Sequence, residues 1–489
     1  MAQRLNLQAD DENTLFQETH FSRYGYERTN IFGSVILETS LPTYLECAEE
    51  FPSTRYDSLP YPPTREAPTE TKKSKHLLSI SASELNAFVA CNGYWNGLCI
   101  PLGIETGKLE IISVDAFEHV IEDNLGGLAK NMVVCITTAE RSSEENPSTN
   151  YELRIYGGSR KAAPYLEQTL FNIVGACQLI KVDSAPMQLN HVSVKQIDGN
   201  TRTAILLSST DGIVHMYCQS SESDNFLELD VGDYFPILGK MAEQRQSVLF
   251  LDIYDHDQGR ILCAGGQNGE LCVGVYNLSG VETASYSTRL FSPISSVKIY
   301  NSRSPITPDI LNDGDSIDRI LQDECDTNIV VTCAVERAII YHSVPEVGLQ
   351  NAVVLPESSH YDSVLCSHVM DVDWDGQNEI IIGTYGKQIL IYKKASPNSY
   401  FILWQRQFSY PIYRVVHLDI NHDGLDELIV TTMYGVHILQ PNLKMARAQL
   451  LRVLEFAERM KRRVYNLLRE QQTRREMENF IVFEDQPQV

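Results

Sequence analysis

The C-terminal half of the chain contains one pattern of apolar and polar positions twice, with the copies starting 48 residues apart. Each copy has an acidic turn, an apolar strand-like run, a Gly turn and a second apolar run. The copies occupy residues 371–392 and 419–439. Self-similarity at periods of about 40–50 residues is typical of solenoids and propellers. The strand-like composition of the apolar runs favours a propeller.

Weaker copies of this unit extend toward the N-terminus. Asn-Gly or Asp-Gly turns, which are strong hairpin signals because they need positive φ, occur in several of them. Counting the unit that ends at Leu439 gives six, and residues 77–100 together with 21–37 supply one more. We therefore predict an all-β fold with a single propeller of seven blades, while six or eight stay open. The runs that end in an aromatic residue are Ile155-Tyr156, Met216-Tyr217, Val275-Tyr276, Ile340-Tyr341 and Ile391-Tyr392.

The chain changes character after the last repeat. Residues 443–478 contain neither Gly nor Pro, and apolar residues recur there at alternating steps of three and four, which predicts a heptad-like helix. Such a helix would be about 54 Å long. It holds ten basic and five acidic residues, so either docking on its own acidic propeller or binding of an acidic partner is open. The predicted partner-binding residues are Leu443, Leu450, Val453, Met460, Val464 and Leu467.

The regions outside the repeats differ in composition. The Pro-rich insertion has too few apolar residues to form a core of its own. Insertions into propeller loops cost little free energy because loop-closure entropy grows slowly with length. The predicted organisation is an acidic disordered tail (1–18), a propeller (19–440) with a Pro-rich insertion (39–75) and acidic loops (139–150 and 301–326), the basic helix (443–478) and a short tail (479–489).

The overall charge narrows the classes of partner. The chain has 489 residues, with 40 basic against 64 acidic side chains and a formal charge of −24. Nucleic acids and anionic membrane surfaces need a basic footprint, so we expect neither as a partner. No apolar run reaches the roughly 18–20 residues of a membrane helix, and the polar N-terminus lacks the pattern of a secretory signal. The eleven scattered cysteines form no CxxC pair, which predicts a reducing, cytoplasmic location without membrane insertion.

The acidic turns of the two clear repeats are the candidate metal sites. Three carboxylates on one tight turn repel one another unless they are solvated or bind a hard cation such as calcium. The spacing is not that of an EF-hand, because Ile382 stands at the twelfth position. It resembles the calcium-binding turns of FG-GAP repeats in integrin α-subunit propellers, with a decayed third copy starting at Asp252. The candidate ligands are Asp371, Asp373, Asp375, Glu379, Asp419, Asn421, Asp423 and Glu427.

Two interpretations of these turns stay open. A structural calcium ion is the single cofactor that the sequence suggests. In the alternative, the turns are solvated and their Asp side chains accept hydrogen bonds from nearby backbone N–H groups. A calcium-dependent adhesion module is a further alternative for the whole chain, and the missing secretory signal counts against it.

The sequence contains no motif of a known catalytic site. A phosphate-binding loop, a GxSxG elbow and an HExxH helix are all absent from the 489 residues. We therefore predict no catalytic residues and no enzymatic activity. A propeller enzyme stays an alternative, because catalytic residues can converge from separate blades.

The C-terminal repeats resemble the kaptin family, and a weaker resemblance continues upstream to Phe21. It implies an FG-GAP-like β-propeller that acts by binding. It also implies a scaffold subunit of KICSTOR, a complex at the lysosome membrane that restrains TOR signalling when amino acids or glucose are scarce. A second FG-GAP propeller protein would be the nearest partner. The resemblance rests on YDSVLCSHVMDVDWDGQNEIIIGTYGKQILIYKK (361–394) and LWQRQFSYPIYRVVHLDINHDGLDELIVTTMYGVHILQ (403–440).

The same resemblance implies an alternative function. Members of the family are also described as actin-associated, so an actin-filament-associated cytoskeletal protein, located in actin-rich structures, is the second hypothesis. Actin is acidic, and the basic segment 443–478 is the plausible contact on this acidic chain.

Overall fold

A computed structural model describes most of the chain, and within that part the strands form seven antiparallel sheets of four strands each. The seven-bladed propeller predicted from the repeats is thereby confirmed. The described residues are 14–24, 27–41, 73–91, 94–104, 107–122, 128–140, 149–157, 165–195, 199, 201–220, 225–302, 326–396, 398–420 and 423–484.

Six blades are built from four consecutive strands, and the seventh combines strands from both ends of the chain. Blades one to three contain β2 (Ser34–Thr39), β3 (Ser74–Ile80), β4 (Leu85–Cys91), β5 (Tyr94–Ile100), β6 (Leu109–Glu122), β7 (Leu128–Glu140), β8 (Tyr151–Gly157), β9 (Cys177–Val182), β10 (Pro186–Lys195), β11 (Thr201–Ser209), β12 (Val214–Gln219) and β13 (Phe226–Leu229). Blades four and five contain β14 (Val248–His256), β15 (Gly259–Gly266), β16 (Glu270–Asn277), β17 (Glu282–Arg289), β18 (Ile294–Ser302), β19 (Asp326–Cys333), β20 (Ile339–Tyr341) and β21 (Ala352–Val354). Blades six and seven contain β22 (Val364–Met370), β23 (Glu379–Thr384), β24 (Gln388–Ser396), β25 (Ser399–Gln407), β26 (Ile412–Leu418), β27 (Glu427–Thr432), β28 (Gly435–Pro441) and β1 (Phe16–Arg23).

The core lies between neighbouring blades rather than inside any one of them. The first strand of each blade is innermost, and it packs against the first strand of the next blade. The tyrosines that mark the repeat occupy the third strand of their blades. There Tyr156 donates to the Leu102 carbonyl (3.1 Å) and Tyr392 to the Pro356 carbonyl (3.0 Å), each just beyond the last strand of the preceding blade. The recurring tyrosine of the repeat therefore marks a contact between neighbouring blades.

Glycine is required where two blades approach most closely. A Cβ atom on Gly265 would lie 2.4 Å from a methyl carbon of Ile294, and one on Gly383 would lie 2.5 Å from the equivalent atom of Ile412. In both cases the isoleucine begins the innermost strand of the next blade. These two glycines therefore set the distance between adjacent sheets.

The ring closes through β1, which is the outermost strand of the seventh blade and pairs with β28. Phe16 is buried and its ring packs edge-on against Trp404, with centroids 5.7 Å apart. Glu18 accepts a hydrogen bond from His437 (2.7 Å) and forms an ion pair with Arg406. Phe21 lies in the same strand, so it belongs to the seventh blade and the predicted pairing of all of 21–37 with 77–100 is wrong. Within that range, the described residues that pair in the first blade are Ser34 to Leu37, and β2 continues to Thr39.

The strand bounds show where the predicted segments lie in the ring. The tail predicted for 1–18 is too long by three residues, because β1 begins at Phe16, where the apolar contact with blade six starts. The insertion 39–75 and the loops 139–150 and 301–326 each connect two strands of one blade. The parts of these predicted segments that fall outside the described residues are 1–13, 42–72, 141–148 and 303–325.

Four α-helices accompany the strands in the described part. The long one, α4, ends six residues beyond the predicted end at 478, because the following residues contain no Gly or Pro to stop it. Of the tail predicted for 479–489, residues 485–489 lie outside the described part. None of the described helices is both long and apolar enough to span a bilayer. The helices are α1 (Leu166–Asn172), α2 (Pro236–Glu243), α3 (Val344–Val347) and α4 (Leu443–Glu484), with 3-10 turns at Ile173–Gly175 and Val231–Asp233.

The role of β1 in closing the ring can be tested by replacing Phe16 with Ala. We expect the folded state to lose about 3–5 kcal/mol, as is usual when a buried Phe is truncated, because Phe16 seals the contact between blades six and seven. Denaturant unfolding followed by fluorescence measures the change. Gln17→Ala, at the exposed neighbouring position, is the control and should stay within about 0.5 kcal/mol of wild type. Equal stability of F16A and Q17A would contradict this account of ring closure.

Candidate functional site

The first acidic turn, between β22 and β23, is organised by Asp371. Its two carboxylate oxygens accept hydrogen bonds from the backbone N–H groups of Asp375 (3.2 Å) and Gly376 (2.9 Å). Gly376 has a φ of 87°, which favours glycine, and Trp374 also has a positive φ, of 58°. The sequence therefore folds this turn around one carboxylate.

The remaining carboxylates of the turn surround a lysine that the sequence prediction missed. The Nζ atom of Lys393, on β24, lies 2.5 Å from Asp373, 2.7 Å from Asp375 and 3.1 Å from Glu379. The lysine side chain is only 17% exposed. The cation that this cluster requires is therefore supplied by the protein itself, from the far strand of the adjacent hairpin.

Charge and burial change the acid–base behaviour of this cluster. Burial, together with the negative charge of Asp373, raises the pKa of Glu379 to about 8, against the opposing hydrogen bonds from the Val372 N–H and Lys393. Burial also raises the pKa of Asp371. The carboxylates raise the pKa of Lys393, which keeps its ammonium charged. One ammonium does not neutralise four carboxyl groups, and partial protonation of Glu379 relieves part of the excess negative charge.

The second acidic turn, between β26 and β27, repeats the backbone geometry without the lysine. Asp419 accepts from the N–H groups of Asp423 (3.2 Å) and Gly424 (3.0 Å), and Glu427 accepts from Ile420 (2.8 Å). Burial raises the pKa of Glu427 to about 7. Asn421 lies outside the described residues.

Strand pairing places a glutamine where the first turn has its lysine. Tyr392 pairs with Ile380 in blade six, and Leu439 pairs with Leu428 at the corresponding place in blade seven. Gln440 therefore takes the position of Lys393. The two turns share a backbone design and differ in the group that faces their carboxylates.

The third copy predicted at Asp252 is not a turn. Asp252 lies in the middle of β14, where it accepts from the Lys298 ammonium (3.1 Å) and the Ile299 N–H (2.7 Å) of the next blade. The chain turns later, between His256 and Gly259. The prediction of an acidic turn here is wrong, because the Asp252 side chain forms a contact between two innermost strands.

The donor set of the first turn fits a calcium ion only if Lys393 moves away. Asp371, Asp373 and Asp375 each have a carboxylate oxygen within one small sphere, and all of these oxygens lie within 4.8 Å of one another. Two of the three carboxylates already contact the lysine. Calcium binding by either turn stays a prediction, and at the first turn Lys393 supplies one positive charge to the carboxylates.

Replacing Lys393 with Met tests this internal cation. We expect a loss of about 2 kcal/mol in unfolding free energy, because three charged hydrogen bonds disappear and the carboxylates repel one another. We also expect millimolar calcium to raise the melting temperature of K393M by more than that of wild type, because Lys393 would no longer compete for the first turn. Lys394→Met, one residue along the strand and on its other face, is the control. Equal calcium stabilisation of wild type would show that Lys393 does not fill the site.

Polar side chains of the innermost strands meet around the central axis. Besides the contact of Asp252 with Lys298, Asp115 lies 2.9 Å from His191, joining blades two and three. His368 of β22 and His417 of β26 form a direct ring-to-ring hydrogen bond of 2.7 Å. These pairs tie neighbouring blades together by polar contacts at the centre of the ring. Dispersed histidines and aspartates gave no sequence signal for them, because each partner lies on a different blade.

The histidine pair is a site of pH sensitivity. Burial, with the positive charges of His417, Lys298 and Arg414, lowers the pKa of His368 well below its ordinary value. Burial also lowers the pKa of His417, although Asp426 opposes the shift. A neutral pair needs one N–H and one lone pair, whereas two protonated rings would place N–H groups face to face. The fold therefore favours the neutral forms.

Because the folded-state pKa values of this pair lie below the unfolded value, unfolding takes up protons, and the stabilisation is lost as pH falls below about 6.5. We expect His368→Gln to lose less stability than wild type between pH 7.5 and 5.5, by up to about 1.4 kcal/mol per pH unit for each histidine affected. Denaturant unfolding at both pH values measures this difference. His360→Gln, at an exposed position, should follow wild type. Parallel profiles for wild type and H368Q would refute the assignment.

A cavity of about 540 Å³ opens where the innermost strands end beside the acidic turns. Its wall includes Lys298, Asp371, Trp374 and His417. The cavity therefore connects the polar side chains of the innermost strands with the first acidic turn. Helix α4 starts at the same face, where the Gln449 amide donates to the Trp374 carbonyl (3.1 Å). The acidic turns thus help to position the helix.

Helix α4 is attached by its first turns and exposes most of its predicted stripe. Asn442 accepts from the Lys444 N–H (3.0 Å) and donates to the Thr14 carbonyl (2.9 Å), and Ala446 is buried. Met460 is half-buried, and nothing is described for the side chain of Leu467. The exposed fractions of the other predicted partner-binding residues are 53% for Leu443, 57% for Leu450, 49% for Val453 and 51% for Val464.

Comparison with known families identifies the family of this chain. A model of the family described as KICSTOR complex protein kaptin matches residues 104–451, which is well over half of the chain. The chain belongs to the kaptin family. Mouse KICSTOR complex protein kaptin is 31% identical over 343 residues, which cover 68% of this chain and 73% of the mouse protein. The kaptin match begins before blade two and ends within α4, so it includes both acidic turns, Lys393 and the attached start of the helix.

Solved structures similar to this kaptin-family chain are distant. The BBS1N chain from a crystal structure of BBS1N in complex with ARL6DN has a TM-score of 0.45 and 9% identity, covering 88% of this chain and 97% of that one. Sqt1 from Saccharomyces cerevisiae has a TM-score of 0.40 and 10% identity, covering 75% and 81%. We base no functional argument on either similarity.

Proposed function

We propose that this chain is a non-enzymatic scaffold subunit of a KICSTOR-type complex. In this role it holds other subunits together at the lysosome membrane, and the complex restrains TOR signalling when amino acids or glucose are scarce. The single observation that carries the proposal is the kaptin family match over residues 104–451, which spans blades two to six, three strands of blade seven and the start of α4.

The distribution of exposed apolar side chains supports a binding role. On the face opposite the acidic turns, the ring of Phe291 is 98% exposed and Val335 is 76% exposed. Glu336 fixes their loops, since one of its oxygens accepts from the N–H groups of Phe291 and Ser292 and from the Ser292 hydroxyl. An exposed aromatic on a fixed loop is typical of an interaction surface. Together with α4, this gives apolar contact points at both ends of the ring.

A rigid ring with contacts at both ends is suited to bridging two proteins. The loops that hold Phe291 and Val335 join strands at one end of the blades, whereas the acidic turns and the start of α4 lie at the other. Partners bound at the two ends would be separated by the length of the blades and held in a fixed orientation. This is the mechanical role of a scaffold subunit.

The titratable groups with unusual pKa values are accounted for by structural contacts. Glu379 contacts Lys393 and a backbone N–H, Glu427 accepts from a backbone N–H, and His368 is paired with His417. Shifted pKa values also occur in structural ion-pair and hydrogen-bond networks, and Glu379, Glu427 and His368 each take part in such a contact. This supports a non-enzymatic function.

The proposal is tested by affinity purification and mass spectrometry from cells kept with and without amino acids and glucose. We expect a second FG-GAP propeller protein to co-purify, and deletion of residues 443–478 to weaken recovery of at least one partner. Deletion of 485–489 is the control. Recovery of the chain as a lone monomer after gentle lysis would contradict a scaffold role.

Actin-filament binding, the alternative from sequence, stays a prediction. Pelleting of the purified chain with filaments, abolished by salt or by loss of 443–478, would support it. A chain that stays in the supernatant while the filaments pellet would contradict actin binding.

A further inference from the structure

We propose that α4 binds an acidic, amphipathic helix of a partner protein along residues 450–468. The inference rests on the proposed scaffold function and deepens it, because it assigns one partner contact to a surface and gives the chemistry of what binds there. It is carried by the attachment of α4, by its exposed apolar face and by the charges that border that face.

The start of α4 is fixed firmly enough to present the rest of the helix. Asn442 ties its first turn to Thr14, which lies two residues before the start of β1, and Gln449 ties its second turn to Trp374 in the first acidic turn. Ala446, between these two contacts, is buried. The direction in which the helix leaves the propeller is therefore set by two points on different blades.

Beyond Gln449 the exposed apolar side chains of the helix share one face, in two groups at 450–454 and 464–468. Successive residues of an α-helix are rotated by about 100°, which places these side chains within an arc of roughly 160°. Exposed apolar side chains grouped on one face in this way mark an interaction site. The exposed fractions are 57% for Leu450, 50% for Leu451, 49% for Val453, 55% for Leu454, 51% for Val464, 67% for Tyr465 and 56% for Leu468.

Basic side chains lie along one edge of this face and within it. Helical geometry places Arg462 and Arg469 along that edge and Lys461 within the face, whereas Arg463 falls near the back of the helix. Arg462 has a local partner in Glu458, at 2.6 Å and on the exposed surface, where such pairs contribute little. A binding helix with Glu or Asp along its edge would meet opposite charge there, and the segment 450–468 as a whole carries five basic and two acidic residues.

The heptad spacing and the charge together favour a helix from another protein. Apolar steps of three and four over this length match the packing of one helix along another. A second copy of α4 would bring ten basic and five acidic residues of each helix against a surface of the same net charge. Charge complementarity therefore selects an acidic partner over self-association.

The inference is tested with the full-length chain and a synthetic probe. The probe is a fluorescent four-heptad peptide with Leu at positions a and d and Glu at positions e and g. We expect saturable binding by fluorescence anisotropy that weakens as salt is raised. A peptide with Lys at e and g should bind at least tenfold more weakly, because it would meet the net positive charge of residues 450–468 and the arginines along one edge of the face.

Variants of the exposed face locate the binding. Leu450→Asp and Val464→Asp should each weaken binding of the acidic peptide at least tenfold without affecting the fold, since both side chains are solvent-exposed. Leu278→Asp, at a 65% exposed position on the propeller, is the matched control and should bind as wild type does.

Three outcomes would overturn the inference. Equal binding of the acidic and basic peptides would remove the charge argument, and unchanged binding by L450D and V464D would place the peptide elsewhere. Absence of peptide binding, with self-association in sedimentation or with amide protection of 450–468 in the isolated chain, would assign the face to a second copy or to the chain itself. Specific peptide binding without recovery of a propeller partner from cells would retain this inference and refute the KICSTOR-type function.

Discussion

Pairing of β1 with β28 is the interaction on which the rest of the structure depends. It closes the ring, covers the edge of β28, whose backbone groups would otherwise face solvent, and completes the contact of Phe16 with blade six. The same closure fixes Thr14 against Asn442, where α4 begins. Ring closure and presentation of the helix are therefore a single event, and a scaffold that binds through α4 requires a closed propeller.

Polar contacts between innermost strands complement the apolar contacts between sheets. The isoleucines that pack against Gly265 and Gly383 bring adjacent sheets together, while the pairing of His368 with His417 fixes their relative position at the axis. Buried polar groups are tolerable only when they are paired. The neutral histidine pair meets this condition at neutral pH, at the cost of stability in acid.

The first acidic turn shows that carboxylates arranged like a metal site can be paired with a cationic side chain of the same protein. A cluster of carboxylates is stabilised by positive charge, and at the first turn Lys393 provides it from the adjacent hairpin. The second turn has the uncharged Gln440 at that place and retains the backbone geometry. The two turns therefore share a backbone design, while only the first has a lysine of the chain at this position.

The sequence by itself determined the blade unit, because alternating strands, Gly turns and a recurring tyrosine are local features. It also determined that α4 is a basic helix, since periodicity and the absence of Gly and Pro are visible within one segment. Tertiary structure alone decided where β1 pairs, that Asp252 serves Lys298 instead of a turn, and that Lys393 faces Asp373 and Glu379. These contacts join strands far apart in sequence or on different blades, and their partners are selected by ring closure and sheet register, which no local pattern records.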